Sequence, residues 1–279
     1  TGITDQRGIR FATWTYDEHD RALSSEHADG VEAVSVSYSD DGSRLVTNSL
    51  QEISTYLTEV RKGLGVVTAI QGPGCSSCGI GDVQYEYDEQ LRLVSSLHAD
   101  GSSTLREYDA YGRTVNVSNQ LIDGDIQEVA RYEYASAASS SPSTIFKPSV
   151  NPDAQHSYSL SYNEAGQLTD IQERGWSPTQ SQQFELLKRH TQLSYTNGLL
   201  VELNGPRDDV NDITKINYDA KRRVKQLLTP DGRVLEVKSY DPYGRPTEIQ
   251  QGEQQAIKMA YNFRGDVTQV TQRGQTMHY

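Results

Sequence analysis

The 279 residues carry 38 acidic against 26 basic side chains, a formal net charge of −12. That balance argues against a phosphate-binding surface, because nucleic-acid binders normally present a basic patch to the backbone. No apolar run approaches the roughly 18 residues of a membrane span, and hydrophobic residues make up only 35%, with 17 Tyr against 4 Phe, 2 Met and 2 Trp.

From the N-terminus, "TGITDQRGIR" has no initiator Met, basic n-region or apolar h-region, so no signal peptide is visible and the chain reads as a segment of something longer. The first expected strand is "IRFATWTY", Ile9 to Tyr16. From there Tyr-anchored motifs recur: "YDEHDR" at Tyr16, "YDAYGR" at Tyr108, "YDAKRR" at Tyr218, "YDPYGR" at Tyr240 and "YNFRGD" at Tyr261. Tyr16 to Tyr38 is 22 residues, Tyr87 to Tyr108 is 21, Tyr195 to Tyr218 is 23, Tyr218 to Tyr240 is 22 and Tyr240 to Tyr261 is 21. The wider gaps from Tyr134 to Tyr162 (28) and Tyr162 to Tyr195 (33) imply loop insertions near 136–157 and 174–186. A motif that recurs at a fixed interval describes architecture, so 1–279 reads as a single repeat array with a period of about 21 residues.

Each period predicts two strands and two turns. Asp after the Tyr accepts a backbone hydrogen bond two residues on and starts a turn. Gly112, Gly166, Gly244 and Gly265 follow where a positive φ is cheap. An Arg and a β-branched or Leu residue begin the next strand, which ends in a second turn: "ADG" at Ala28 and Ala99, "PDG" at Pro230. Asp-Gly between extended segments is a strong hairpin signal. Residues two apart share a strand face, so Val34, Val36, Tyr38 and Ile257, Met259, Tyr261 put Tyr at the end of the more apolar face. "EVKSY" before Tyr240 breaks that alternation. The expected class is all-β, a solenoid-like spiral of antiparallel hairpins with open ends. A helical turn is predicted only at "QQFELLKRH", Gln182 to His190, where Phe184, Leu187 and Lys188 fall on one face.

"YDAYGRTVNV", "YDPYGRPTEI" and "YNEAGQLTDI" resemble the YD repeat of the RHS family, found in bacterial RHS proteins, Tc-toxin shell subunits and teneurins. The resemblance implies a β-spiral shell with stacked Tyr side chains, enclosing in the toxins a C-terminal polypeptide. It also implies a secreted or cell-surface setting, and as partners the rest of the parent polypeptide or an encapsulated cargo. Complete bacterial shells tend to end in a "DPxG"-rich self-cleaving core. The only "DPYG" here, Asp241 to Gly244, sits inside an ordinary repeat. The expected function is a wall segment of such a shell, and the alternative is a carbohydrate-binding module with glycans as ligands. On the second reading loop aromatics such as Trp176 are the contacts, because the motif Tyr keep register with the backbone.

No enzyme is expected, and no catalytic, cofactor-binding or metal-ligating residue is singled out. Cys75 and Cys78 in "GPGCSSCG" read as a structural pair ahead of half a zinc site or a redox couple. In the extracellular setting the resemblance implies, a bond between them closes a loop too short to stabilise much. His19, His27, His98, His156, His190 and His278 show no triad or metal spacing, and His27 and His98 both precede "ADG", a turn position. The acids of Asp123–Asp125 and Arg207–Asp212 lack EF-hand spacing and read as solvated loops. The first and last strands, the latter ending in "TMHY", are expected to offer open edges for self-association.

Overall fold

The structure is a computed structural model and describes residues 1–5, 8–27, 30–75, 79–180, 183–262 and 264–279. It is all-β, with no α-helix among the described residues. The chain divides into two compact units, Thr1–Arg131 and Tyr132–Tyr279.

The first unit runs β1 (Gly2–Thr4), β2 (Arg10–Tyr16), β3 (Ala22–His27), β4 (Val34–Tyr38), β5 (Arg44–Thr47), β6 (Ile53–Arg61) and β7 (Leu64–Gln71). The short pair β8 (Gly74–Cys75) and β9 (Gly79–Ile80) stands apart from the main ladder. It continues with β10 (Val83–Tyr87), β11 (Leu93–Leu97), β12 (Ser103–Tyr108), β13 (Thr114–Gln120) and β14 (Ile126–Glu133). Apart from β8 and β9, each strand pairs antiparallel with the next, β7 passing directly to β10. The second unit repeats the meander from β15 (Thr144–Lys147) and β16 (His156–Tyr162) through β17 (Leu168–Pro178), β18 (Phe184–Thr196), β19 (Leu199–Asn204) and β20 (Ile213–Tyr218). It ends with β21 (Val224–Leu228), β22 (Val234–Tyr240), β23 (Pro246–Gln251), β24 (Ile257–Tyr261), β25 (Val267–Gln272) and β26 (Gln275–His278). Again every pairing is between neighbours in sequence.

A meander of this kind stacks few residues in depth. The accessible surface is 18086 Å², against about 12,000 Å² for a compact monomer of this mass. The buried apolar residues are few: Tyr56, Ile70 and Val83 form one cluster, with Val46, Val67 and Tyr85 packed on it. The expected alternation holds in β4 and β24, where Val34, Val36, Tyr38 and Ile257, Met259, Tyr261 are half-buried and the residues between them exposed.

Three expectations need correction. "QQFELLKRH" is not helical: Phe184–His190 lies in β18, paired residue for residue with β17, and Gln182 lies outside the described residues. The ladder to β17 overrides a helical spacing that no helix partner supports. The insertion near 174–186 is largely strand, an overlong hairpin with its tip between Pro178 and Phe184. Lastly, the strand over Ile9 to Tyr16 is no open edge. β1 covers it, and the terminal ammonium of Thr1 donates to the Trp14 carbonyl at 2.9 Å. Cys78 lies outside the described residues, so the geometry of the Cys pair does too.

Candidate functional site

Two constructions concentrate the polar chemistry: an interlock repeated in both units, and the face of the long β17–β18 hairpin in the second.

The interlock begins with the turn. In the motifs at Asp17, Asp88, Asp109, Asp219 and Asp241, carboxylate Oδ1 accepts the backbone N–H groups two and four residues on. Oδ2 accepts from Nε of the Arg four residues on, at 2.6–2.8 Å. The Asp backbone N–H donates to that Arg's carbonyl, and the residue between them adopts a positive φ: Gly112 at 81° and Gly244 at 82°, but also Asp20 at 59°, Leu91 at 63° and Arg222 at 65°. Only glycine occupies that region without a steric cost. Asn163 Oδ1 accepts the same two backbone N–H groups and Asn262 Oδ1 those of Gly265 and Asp266, while the amide N–H groups donate to Gln167 Oε1 and Asp266 Oδ2. The residue pair changes and the side-chain closure of the turn is kept.

The Asp carboxyls are held below their ordinary value. At Asp219 the Arg223 side-chain bond is the largest cause, and at Asp17 the backbone N–H of Arg21. At Asp109 desolvation pushes upward but is outweighed by the bonds from Arg113 and Tyr111.

The tyrosine closes the next contact. The hydroxyls of Tyr38, Tyr87, Tyr108, Tyr162, Tyr195, Tyr218 and Tyr261 donate to backbone carbonyls of the preceding strand or just before it, namely Ala22, Val67, Leu93, Pro142, Leu168, Leu200 and Pro246, all near the strand start except Val67 in the middle of β7. Tyr240 does the same to Val224. In each case the ladder has already lapsed there: β11 and β12 pair only over Ser95–Leu97, and the Tyr108 hydroxyl bridges to Leu93 beyond the last pair. A register shift beside Tyr16, Tyr87, Tyr108, Tyr162, Tyr195, Tyr218, Tyr240 and Tyr261 marks a β-bulge in each of these hairpins, and bulges increase local twist. "EVKSY" breaks the alternation because a second shift there leaves Lys238 out of the pairing, where it meets Glu236 at 2.7 Å.

The arginine then ties one period to the next. The guanidinium of Arg21 lies 4.3 Å from the Tyr38 ring centre, Arg92 4.8 Å from Tyr108, Arg223 4.2 Å from Tyr240 and Arg245 4.7 Å from Tyr261. Arg92 and Arg245 also donate to the carbonyls of Asp109 and Asn262, the residues after those tyrosines. This role of Arg was missed from sequence, although an Asp and an Arg four apart stand in five motifs.

The long hairpin is built differently. Paired residues share a face, and one face of β17–β18 carries, from the tip inward, Pro178 with Phe184, Trp176 with Leu186, Arg174 with Lys188, and Gln172 with His190. Ser157 of β16 stands opposite Arg174. On the other face Glu173 accepts from His156 Nε2 at 2.9 Å and from the Tyr158 hydroxyl at 3.3 Å, and Arg189 lies 3.4 Å away. His190 bonds Asp170 at 2.7 Å, which is the largest cause lowering that carboxyl. A concavity of ≈ 600 Å³ is lined by Ser157, Ser159, Gln172, Glu173, Arg174, Lys188, Arg189, His190 and Asp208. The sequence placed none of these together except Trp176, singled out as a break in the period.

Of the other candidates, His98 is a turn residue, its ring bonded to Thr104 and its N–H to the Ser102 carbonyl. In the acidic loop Arg207 pairs with Asp209, while Asp212 accepts the Arg207 backbone N–H.

Neither a protein-family model nor a curated protein matches the chain. Solved structures do. The Tc holotoxin pore of Photorhabdus luminescens superposes with a TM-score of 0.53 at 12% identity, over 98% of this chain and 15% of that one. A crystal structure of TcdB2-TccC3-TEV gives 0.47 at 12% identity, over 98% of this chain and 20% of that one. The chain thus spans a fifth or less of the length of these proteins. Its fold is similar to that of a segment of the Tc holotoxin pore, in line with the resemblance of the YD motifs.

Proposed function

We propose that the chain is a wall segment of a YD-repeat shell, one continuous array over 1–279, that encloses or scaffolds polypeptide within a larger bacterial secreted or surface protein. Its role is structural rather than enzymatic. The observation that carries this reading is the interlock: the motif Asp, Arg and Tyr spend their polar groups on one another and on the backbone in one period after another, which is what a load-sharing wall requires. The holotoxin likeness supports the fold side of the reading, and the partners follow from it: the rest of the parent chain or an enclosed cargo. Electron microscopy of the full-length parent protein tests it. A hollow particle with protease-resistant contents is expected, and a solid particle whose contents are cleaved at once would sink the proposal.

A further inference from the structure

We infer that the face of the β17–β18 hairpin carrying Trp176, Arg174 and Lys188 is a docking site for an acidic, partly apolar polypeptide segment.

The first observation is electrostatic. Arg174 and Lys188 are directly paired across the two strands, and like charges opposite one another destabilise a sheet. Elsewhere the chain avoids this: the Arg of each of the five Asp turns has its own carboxylate within 2.6–2.8 Å. Of the carboxylates at hand, Glu173 is already bonded to His156 and Tyr158 and paired with Arg189. Asp170 is bonded to His190 and Gln172, and Asp208 is a further lining residue of the concavity. Two cations held side by side without a shared acid, in a chain of net charge −12, form a local inversion of sign that draws an anion.

The second observation is the apolar half of the same face. Phe184 and Leu186 are each 38% exposed, and Trp176 is half-buried beside them. Residues two apart along a strand are separated by about 7 Å, so the aromatic step lies one side-chain spacing from the cationic step. Ser157 and Gln172 add hydroxyl and amide groups on the same floor. An extended peptide has the matching period, with a carboxylate over Arg174 and Lys188 and an apolar side chain over Trp176 and Leu186.

A polyphosphate is the poorer fit, because it would leave Trp176, Phe184 and Leu186 without an apolar partner. A sugar would use Trp176 and the cations but leave Phe184 and Leu186 uncovered. Overhang supplies the room. β16 pairs with β17 only as far as Arg174, and β19 pairs with β18 only from Gln192, so the hairpin beyond is flanked by no strand among the described residues.

The inference deepens the shell reading by naming the chemistry of an enclosed or neighbouring polypeptide, but its test is independent of a shell. The segment is titrated against a fluorescein-labelled peptide repeating Glu-Phe-Glu-Gly, with fluorescence anisotropy as readout. The arms are the Gln-for-Glu peptide, a sulfated saccharide and a single-stranded oligonucleotide. Binding of the acidic peptide is expected, weakened at least tenfold by Arg174→Gln with Lys188→Gln and by Trp176→Ala, and weakened by salt. Equal binding of the Gln peptide, or preference for the saccharide or oligonucleotide, overturns it. A second measurement stands apart from binding: Lys188→Gln should raise the melting temperature by relieving the repulsion, and a lowered one would make the pair a structural element and overturn the inference. A hollow parent particle with no peptide binding removes this site alone, and peptide binding on a solid particle removes the shell alone.

Discussion

The hairpins around Asp109 and Asp241 and the hairpin of β17 and β18 are made from similar residues put to opposite use. In the first, Arg113 and Arg245 sit within 2.7 Å of their own aspartates. In the second, Arg174 faces Lys188 and the longest strands of the molecule carry their charge outward. Polar groups satisfied within the repeat hold the sheet together, and those left over by an extension of it are free to meet something else. Without a deep core the ordinary repeats depend on such satisfied groups more than a two-layer protein does.

The sharpest way to break that comparison is acid. Asp17, Asp88, Asp109, Asp219 and Asp241 are held below the ordinary carboxylate value in the folded state. Groups depressed in this way contribute stability that is fully present above about pH 4 and is lost as pH falls through their lowered values. Unfolding followed by circular dichroism should therefore show a strand-rich spectrum that collapses below that pH, with the turns failing together. A spectrum more than about a quarter helical at neutral pH would contradict the fold itself. Next in size is Tyr108→Ala, which deletes a half-buried ring, its cation contact and its bond to Leu93. It should cost about 3 kcal/mol in denaturant unfolding, whereas Tyr111→Ala, at a ring 65% exposed, should stay within about 0.5 kcal/mol. Tyr261→Phe isolates the hydroxyl donated to Pro246 and should cost about 1 kcal/mol. A gain is expected where the turn lacks its glycine: Leu91→Gly and Arg222→Gly relieve a left-handed backbone and should each stabilise by about 0.5–1 kcal/mol. Gly244→Ala should lose a similar amount. Smallest of all is Leu186→Ala on the hairpin, under about 1 kcal/mol for a side chain already 38% exposed.

Much of the fold was legible because the repeat writes its own turns. Tyr, Asp and Gly at fixed offsets located the hairpins, and alternation set Tyr at the end of the more apolar side of its strand without saying which face of the sheet that is. The bulge beside eight of the motif tyrosines was not legible, since it arises from the pairing of two strands and has no residue of its own. The β17–β18 hairpin was misread for a related reason. Its spacing at Phe184, Leu187 and Lys188 fits a helix in isolation, and only the ladder from Asp170 to Pro178 decides otherwise. The cationic step was hidden too: Arg174 and Lys188 are far apart in sequence, and their opposition is a matter of register. Ile9 to Tyr16 looked like an exposed first strand because Gly2–Thr4 is too short to announce itself.

The tyrosine hydroxyls have a mechanical consequence. Each joins a hairpin only to its neighbour, and the covalent chain runs through the turns in the same order. A pull on the two ends would therefore peel hairpins away one at a time rather than shear them all at once. Every step would release one period, about 21 residues or on the order of 70 Å of extended chain. A force trace from a single molecule should be a near-regular sawtooth, with longer teeth where the wider periods let go, the overlong hairpin among them.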